Sequence, residues 1–93
     1  FSRFLLESSY VGLYCLSNKL PGTEPILKNS LHGRLIDNNN INDFIEEIIR
    51  YSKNYEVDIR NVDAQRDFIK KEFSTNQVTK KFIALYTKIE SDD

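Results

Sequence analysis

Few residues in this 93-residue chain have a type that does chemistry, and Glu7 stands first among them. It lies in the apolar helical stretch FSRFLLESSYV, where a carboxylate is hydrogen-bonded, solvent-facing or functional. The ordinary reading is the exposed side of a short helix; the other is an acceptor for a polar ligand. His32, the single histidine, has the chemistry of an acid, a base or a ligand. No serine, cysteine or carboxylate constellation is recognisable around it, so it reads as a loop histidine before Gly33. Cys15, the only cysteine, sits in the apolar run LYCLS and reads as a small core hydrophobe, not a nucleophile. One cysteine excludes a disulfide framework and a cysteine metal site. Glu46 and Glu47, like Asp92 and Asp93, read as solvated charges. Lys70, Lys71, Lys80 and Lys81 read as polar helix faces, with a membrane-surface contact as the alternative because four lysines can face one way. There is no glycine-rich phosphate loop and no H-E-x-x-H. No catalytic residue, metal ligand or cofactor is expected.

The elements that must position these groups follow from spacing. Phe4, Leu5, Leu6, Tyr10 and Val11 predict a short buried helix over 1–11, with Ser2 capping its start and Gly12 ending it. Leu13–Ser17 predicts a buried strand, and Asn18–Thr23 a loop turning at Pro21-Gly22. Pro25 limits a following helix to one turn. Arg34–Ile36 predicts a second strand entered through Gly33, and Asp37-Asn38-Asn39-Asn40 a polar turn. Ile41, Phe44, Ile45, Ile48 and Ile49 recur at helical spacing and predict an amphipathic helix packed on a core. Asn40 is its expected N-cap; Asp43 suits the positive end of its dipole, and Arg50 and Lys53 the other. Tyr55–Asn61 links it to a helix over 62–73 whose apolar side is Val62, Ile69 and Phe73. Ser74-Thr75-Asn76-Gln77 fits a capping box, with Phe73 and Val78 as its hydrophobic staple. Val78, Phe82, Leu85, Tyr86 and Ile89 continue into a last helix ending near Ile89, with Ser91–Asp93 frayed.

The expected fold is thus α/β, with about four helices and two short strands that need neighbours, since a two-stranded sheet is rarely self-sufficient. A net charge of −1 with interspersed signs offers no basic stripe for nucleic acid. No apolar run approaches the roughly 20 residues that span a bilayer, and no secretory signal is visible. A lone cysteine fits a cytoplasmic setting. The chain begins at Phe1 and contains no methionine, so it is expected to be cut from a longer one.

The ordered residues Phe1-Ser2, Leu5-Leu6-Glu7, Gly12, Leu13–Leu16, Pro21-Gly22, Ile26 and Gly33-Arg34-Leu35-Ile36 resemble the donor domain of GT-B retaining glycosyltransferases of family 4. That group commonly shows E-G-F-S-x-x-L-L-E-A-x-A-x-G-x-P-V-I, then a P-G loop and x-G-x-L-V. Phe68, Phe73 and Ser74 fit the end of its later segment A-x-x-x-x-F-x-x-x-x-F-S, with Ala64 one place nearer Phe68 than that spacing has it, so the resemblance covers nearly all of residues 1–93. It departs at Tyr14, where proline is common; at Ser8, where a small residue is common; and at Pro25, where the family's glutamate is shifted to Glu24. The resemblance implies the C-terminal part of a Rossmann-like donor domain. Glu7 becomes the second glutamate of E-x7-E, accepting from the ribose hydroxyls of a nucleotide-diphosphate sugar, with Ser2, Arg3 and Phe4 forming the helix start that faces the diphosphate. The parent enzyme would transfer a hexose to a saccharide or lipid-linked acceptor in bacterial surface-polysaccharide or lipopolysaccharide synthesis, in the cytoplasm or peripherally at the inner face of the membrane. Its N-terminal domain, its catalytic machinery and the family's usual diphosphate-holding basic residues lie outside this chain. A GT-B nucleotide-sugar epimerase and a non-enzymatic helical interaction module are the alternatives.

Overall fold

The computed structural model describes residues 1–37, 40–54 and 56–92, and the side chain of Asp92 lies outside that description. Its elements are helix α1 (Arg3–Tyr10), strand β1 (Cys15–Asn18), helix α2 (Glu24–Leu27), strand β2 (Gly33–Ile36) and helices α3 (Ile41–Lys53), α4 (Ile59–Glu72) and α5 (Gln77–Asp92). The strands pair in parallel, with Cys15 opposite Gly33 and Asn18 opposite Ile36. The α/β class and the two parallel strands agree with the expectation.

Local rules account for most boundaries. Ser2 Oγ accepts from the Leu5 N–H and caps α1. Gly12, at φ 105°, ends that helix in a conformation open to glycine, and Val62 Cγ1 would stand 3.2 Å from any added Cβ. Pro25 sits in the first turn of α2, where its missing N–H costs nothing. Asn40 caps α3 by accepting from the Asp43 N–H. Asn38 and Asn39 of the expected polar turn, and Tyr55 of the expected link, lie outside the described residues.

The core forms on one face of the strand pair. Leu5, Leu6 and Tyr10 of α1, Ile26 and Leu27 of α2, Cys15 and Ile69 of α4 make one buried cluster, joined by Leu35, Phe68, Phe73, Phe82, Ile83 and Tyr86. Gly33 is fixed by this packing: a Cβ there would fall 2.9 Å from both the Cys15 carbonyl and Leu27 Cδ2. Among the described residues no buried side-chain nitrogen or oxygen lacks a hydrogen-bond partner. Gln65 of α4 donates to Ser9 Oγ and to the Ile26 carbonyl, each at 2.9 Å. Arg66 donates to the Tyr10 and Val11 carbonyls at the end of α1 and to the Tyr86 hydroxyl of α5. A cation there also favours the negative end of the α1 dipole.

Three expectations need correction. The apolar side of α3 does not pack on the core: Ile41 is 71% exposed, and Ile45, Ile48 and Ile49 are exposed with it, whereas Glu47 is 2% exposed. Side chains alternate across a strand. Leu35 joins the core face, so Arg34 belongs to the opposite face, and its bond to Glu47 sets α3 over that face. The capping box at Ser74 is not formed. Asn76 Oδ1 accepts from the Thr79 N–H and caps α5, while Ser74 Oγ donates to the Lys71 carbonyl. Val78 is therefore the second residue of α5, two positions too early to be the far half of a staple. Finally, α5 continues past Ile89 to Asp92, with Ser91 inside the helix. Asp93 lies outside the described residues.

Candidate functional site

The start of α1 collects the residues expected to meet a ligand. The Ser2 N–H donates to the Gly22 carbonyl at 2.7 Å, which holds the helix start against the Pro21-Gly22 loop after β1. Because α1 returns antiparallel to β1, its N-terminus lies at the carboxyl end of the strands. Ser2 itself is committed to capping through its hydroxyl and to the loop through its amide. Among the described residues, the amides of Arg3 and Phe4 are the ones at this helix start that have no acceptor. The Phe4 ring is 81% exposed. Arg3 Nε donates to Glu7 Oε1 at 2.9 Å, one helical turn apart. An exposed pair of this kind contributes about 0.3–0.5 kcal/mol to the helix, so Arg3 is only loosely engaged. Glu7 is neither buried nor fully exposed, and Oε1 carries the Arg3 contact. The sequence thus brings Ser2, Arg3, Phe4 and Glu7 together on one helical turn and a half.

Two shallow depressions are present, and the first of them reaches this helix start through Arg3. One, of about 270 Å³, lies between α1 and α5 and is lined by Arg3, Val78, Lys81, Phe82 and Leu85. The other, of about 430 Å³, opens at the ends of both strands between Asn18, Asn40, Ile41, Phe44 and Ile45.

A second constellation was not legible in the sequence. Glu47, read there as solvated, is the hub of a charged cluster on the other face of the sheet. Its carboxylate accepts from the Tyr14 hydroxyl at 2.7 Å, Arg34 Nη1 at 2.7 Å and Arg50 Nε at 3.0 Å, and it also pairs closely with Arg50 Nη2. The Tyr14 ring stacks on Tyr51 with centroids 4.0 Å apart and meets the His32 ring edge-on at 5.5 Å. The hydrogen bond from Arg50, followed by those from Tyr14 and Arg34, outweighs burial and holds the Glu47 carboxyl at about 2. Burial first, then the bond to Glu47, pushes the Tyr14 hydroxyl up to about 12. Glu47 is therefore a fixed anion with its acceptor capacity filled, which suits anchoring and not proton transfer. The one available signal was Tyr14 itself, standing where the resembled family has proline.

His32 lies in the loop before Gly33, as expected, and is buried there, with its Nε2 3.0 Å from the Gly12 carbonyl. Burial pushes the Cys15 thiol up, away from thiolate chemistry, in agreement with a core role. Among the described residues no group of histidine, cysteine, aspartate and glutamate is placed to hold a metal ion, and no helix is long and apolar enough to cross a membrane.

Taken together, these features define a small mixed α/β protein with a two-stranded parallel sheet between a helical core and a separately anchored helix. No family model, curated protein or solved structure matches the chain.

Proposed function

We propose that residues 1–93 form the C-terminal part of a Rossmann-like nucleotide-sugar donor domain, within a GT-B retaining glycosyltransferase that moves a hexose to an acceptor hydroxyl. The observation that carries this reading is the bond between the Ser2 N–H and the Gly22 carbonyl. It brings the start of α1, the Pro-Gly loop and the carboxyl end of β1 to one place, and α/β folds bind ligands outside the carboxyl ends of their parallel strands. The amides of Arg3 and Phe4 and the positive end of α1 suit an anionic diphosphate there. Glu7 offers the oxygen not engaged by Arg3 to a ribose hydroxyl, and such charge-assisted bonds are strong. Arg3 would exchange its loose pairing for the phosphate. The chemistry would be electrostatic stabilisation of a departing diphosphate, completed by residues outside this chain. A cytoplasmic site at the inner membrane face and a role in surface-polysaccharide assembly belong to the same proposal, by analogy.

The test is titration of uridine and guanosine diphosphates into the longer protein that carries this chain. Glu7→Ala should weaken binding by about 1.5–3 kcal/mol, roughly ten- to a hundredfold. Affinity unchanged by that substitution would remove Glu7 from the donor site.

A further inference from the structure

From its start to Ile89, α5 carries cations and exposed apolar residues and no anion. Residues 73–89 contain Lys80, Lys81 and Lys88 and not one carboxylate, in a chain with 14 acidic and 13 basic residues overall. Val78, Leu85 and Ile89 stand at offsets of seven and eleven residues, so they share one face of the helix, and all three are exposed. Lys81 and Lys88 border that stripe along one side, roughly 60–80° round the helix. Helix α1 lies on its other side, since Tyr10 meets the rings of Phe82 and Tyr86. Arg3 of α1 reaches the stripe from there and lines the depression of about 270 Å³ with Val78, Lys81, Phe82 and Leu85. Lys80, Lys81 and Lys88 are exposed, and none makes an ion pair among the described residues. Glu90, just beyond, stands 3.9 Å from Arg66 of α4.

We propose that this face of α5 is a peripheral contact with the surface of an anionic lipid bilayer. Val78, Leu85 and Ile89 enter the boundary between headgroups and acyl chains. Lys81 and Lys88 on one side of the stripe, and Arg3 on the other, lie level with the lipid phosphates. A lysine stem is apolar and its ammonium reaches outward, so each stem stays against the acyl boundary while its charge meets a phosphate. The stripe is narrow and its apolar area modest, so the attraction of the cations to anionic lipid must supply much of the binding. The unpaired lysines select an anionic surface over a neutral one. The apolar residues between the cations select a bilayer over a soluble polyanion, which offers nothing to Leu85 or Ile89. The donor-site reading sets its parent enzyme at a membrane face by analogy; this contact rests on α5 and needs no nucleotide.

Co-sedimentation of the 93-residue protein with vesicles tests it. The protein should bind vesicles of phosphatidylcholine and phosphatidylglycerol in equal parts, bind pure phosphatidylcholine at least about tenfold more weakly, and be released as salt is raised. Lys81→Glu should weaken binding to the mixed vesicles about tenfold, and Leu85→Ser about fivefold. Lys53→Glu makes the same change in net charge on α3, over the opposite face of the sheet, and should change binding less than about twofold. Glu7→Ala should leave vesicle binding unchanged, so the donor site and the membrane contact can fail separately. Circular dichroism confirms that each variant is folded. The proposal is overturned by absence of binding to the mixed vesicles, by equal binding to neutral ones, by Lys81→Glu or Leu85→Ser without effect, by Lys53→Glu as damaging as Lys81→Glu, or by soluble poly-glutamate that displaces the vesicles, which would mark an acidic protein as the partner.

Discussion

The α1–α4 contact and the α3 contact are built from opposite materials. Between α1 and α4, Leu5, Leu6, Tyr10 and Ile69 are buried together, and the polar groups present, Gln65 and Arg66, serve to satisfy backbone carbonyls and a hydroxyl. Between α3 and the sheet, a carboxylate at the centre of two guanidiniums and a phenol does the holding, and most of the isoleucines face away. The contrast shows that helical periodicity of apolar residues identifies a helix without saying which side meets its own chain. A buried anion with three donors fixes position and direction through specific bonds, while area burial fixes mainly proximity.

The largest expected effect breaks the first region. Ile69→Ala removes methylenes from a site with no solvent exposure and should destabilise the protein by about 2–5 kcal/mol in urea denaturation. Glu47→Ala comes next, at about 1–3 kcal/mol. The full cost of leaving buried charges unpaired is reduced because both arginines are more than half exposed and water can serve them. Its amide hydrogen exchange should rise in α3 far more than in α1 or α4. Asn76→Ala should cost about 1 kcal/mol through loss of the α5 cap, against a few tenths for Ser74→Ala. Ile48→Ala should change stability by less than about 0.5 kcal/mol, because its side chain is about half exposed.

Acid and alkali both act on the α3 contact. The Glu47 carboxyl sits at about 2 in the fold against 4.5 ordinarily. Its contribution is complete above pH 4.5 and declines as the pH falls toward 2, where the folded carboxylate itself takes up a proton. Tyr14 behaves in the reverse sense. Its hydroxyl is raised from 10.0 to about 12, so the stability it adds is complete below pH 10 and declines between 10 and 12. Denaturation midpoints measured across these two windows should fall in wild type. In Tyr14→Phe the alkaline decline should flatten.

Much of the architecture was legible because it is written locally. Ser2, Gly12, Pro25 and Asn40 each act within a few residues of their own position, and the structure uses them as their chemistry requires. The residues expected at a ligand site, Ser2, Arg3, Phe4 and Glu7, fall together because they share one helix. What was not legible depends on distance along the chain. Glu47 meets Tyr14 across 33 residues and Arg34 across 13, and nothing in the run DFIEEII distinguishes the buried glutamate from its solvated neighbour Glu46. At the α4–α5 junction two rival caps, Ser74 and Asn76, stand two residues apart, and the choice falls to the one that lets Thr79 turn inward and Phe82 and Tyr86 reach the core.

Arg66 has a mechanical consequence. One guanidinium grips the tail of α1 and the phenol of Tyr86 while rooted in α4, so pulling on α5 transmits tension to α1 without passing through the intervening strands. Under force applied at the two ends of the chain, that side chain is the clasp shared by three helices, and Arg66→Met should let α5 peel off at a lower load than α3, which hangs from its own separate hook.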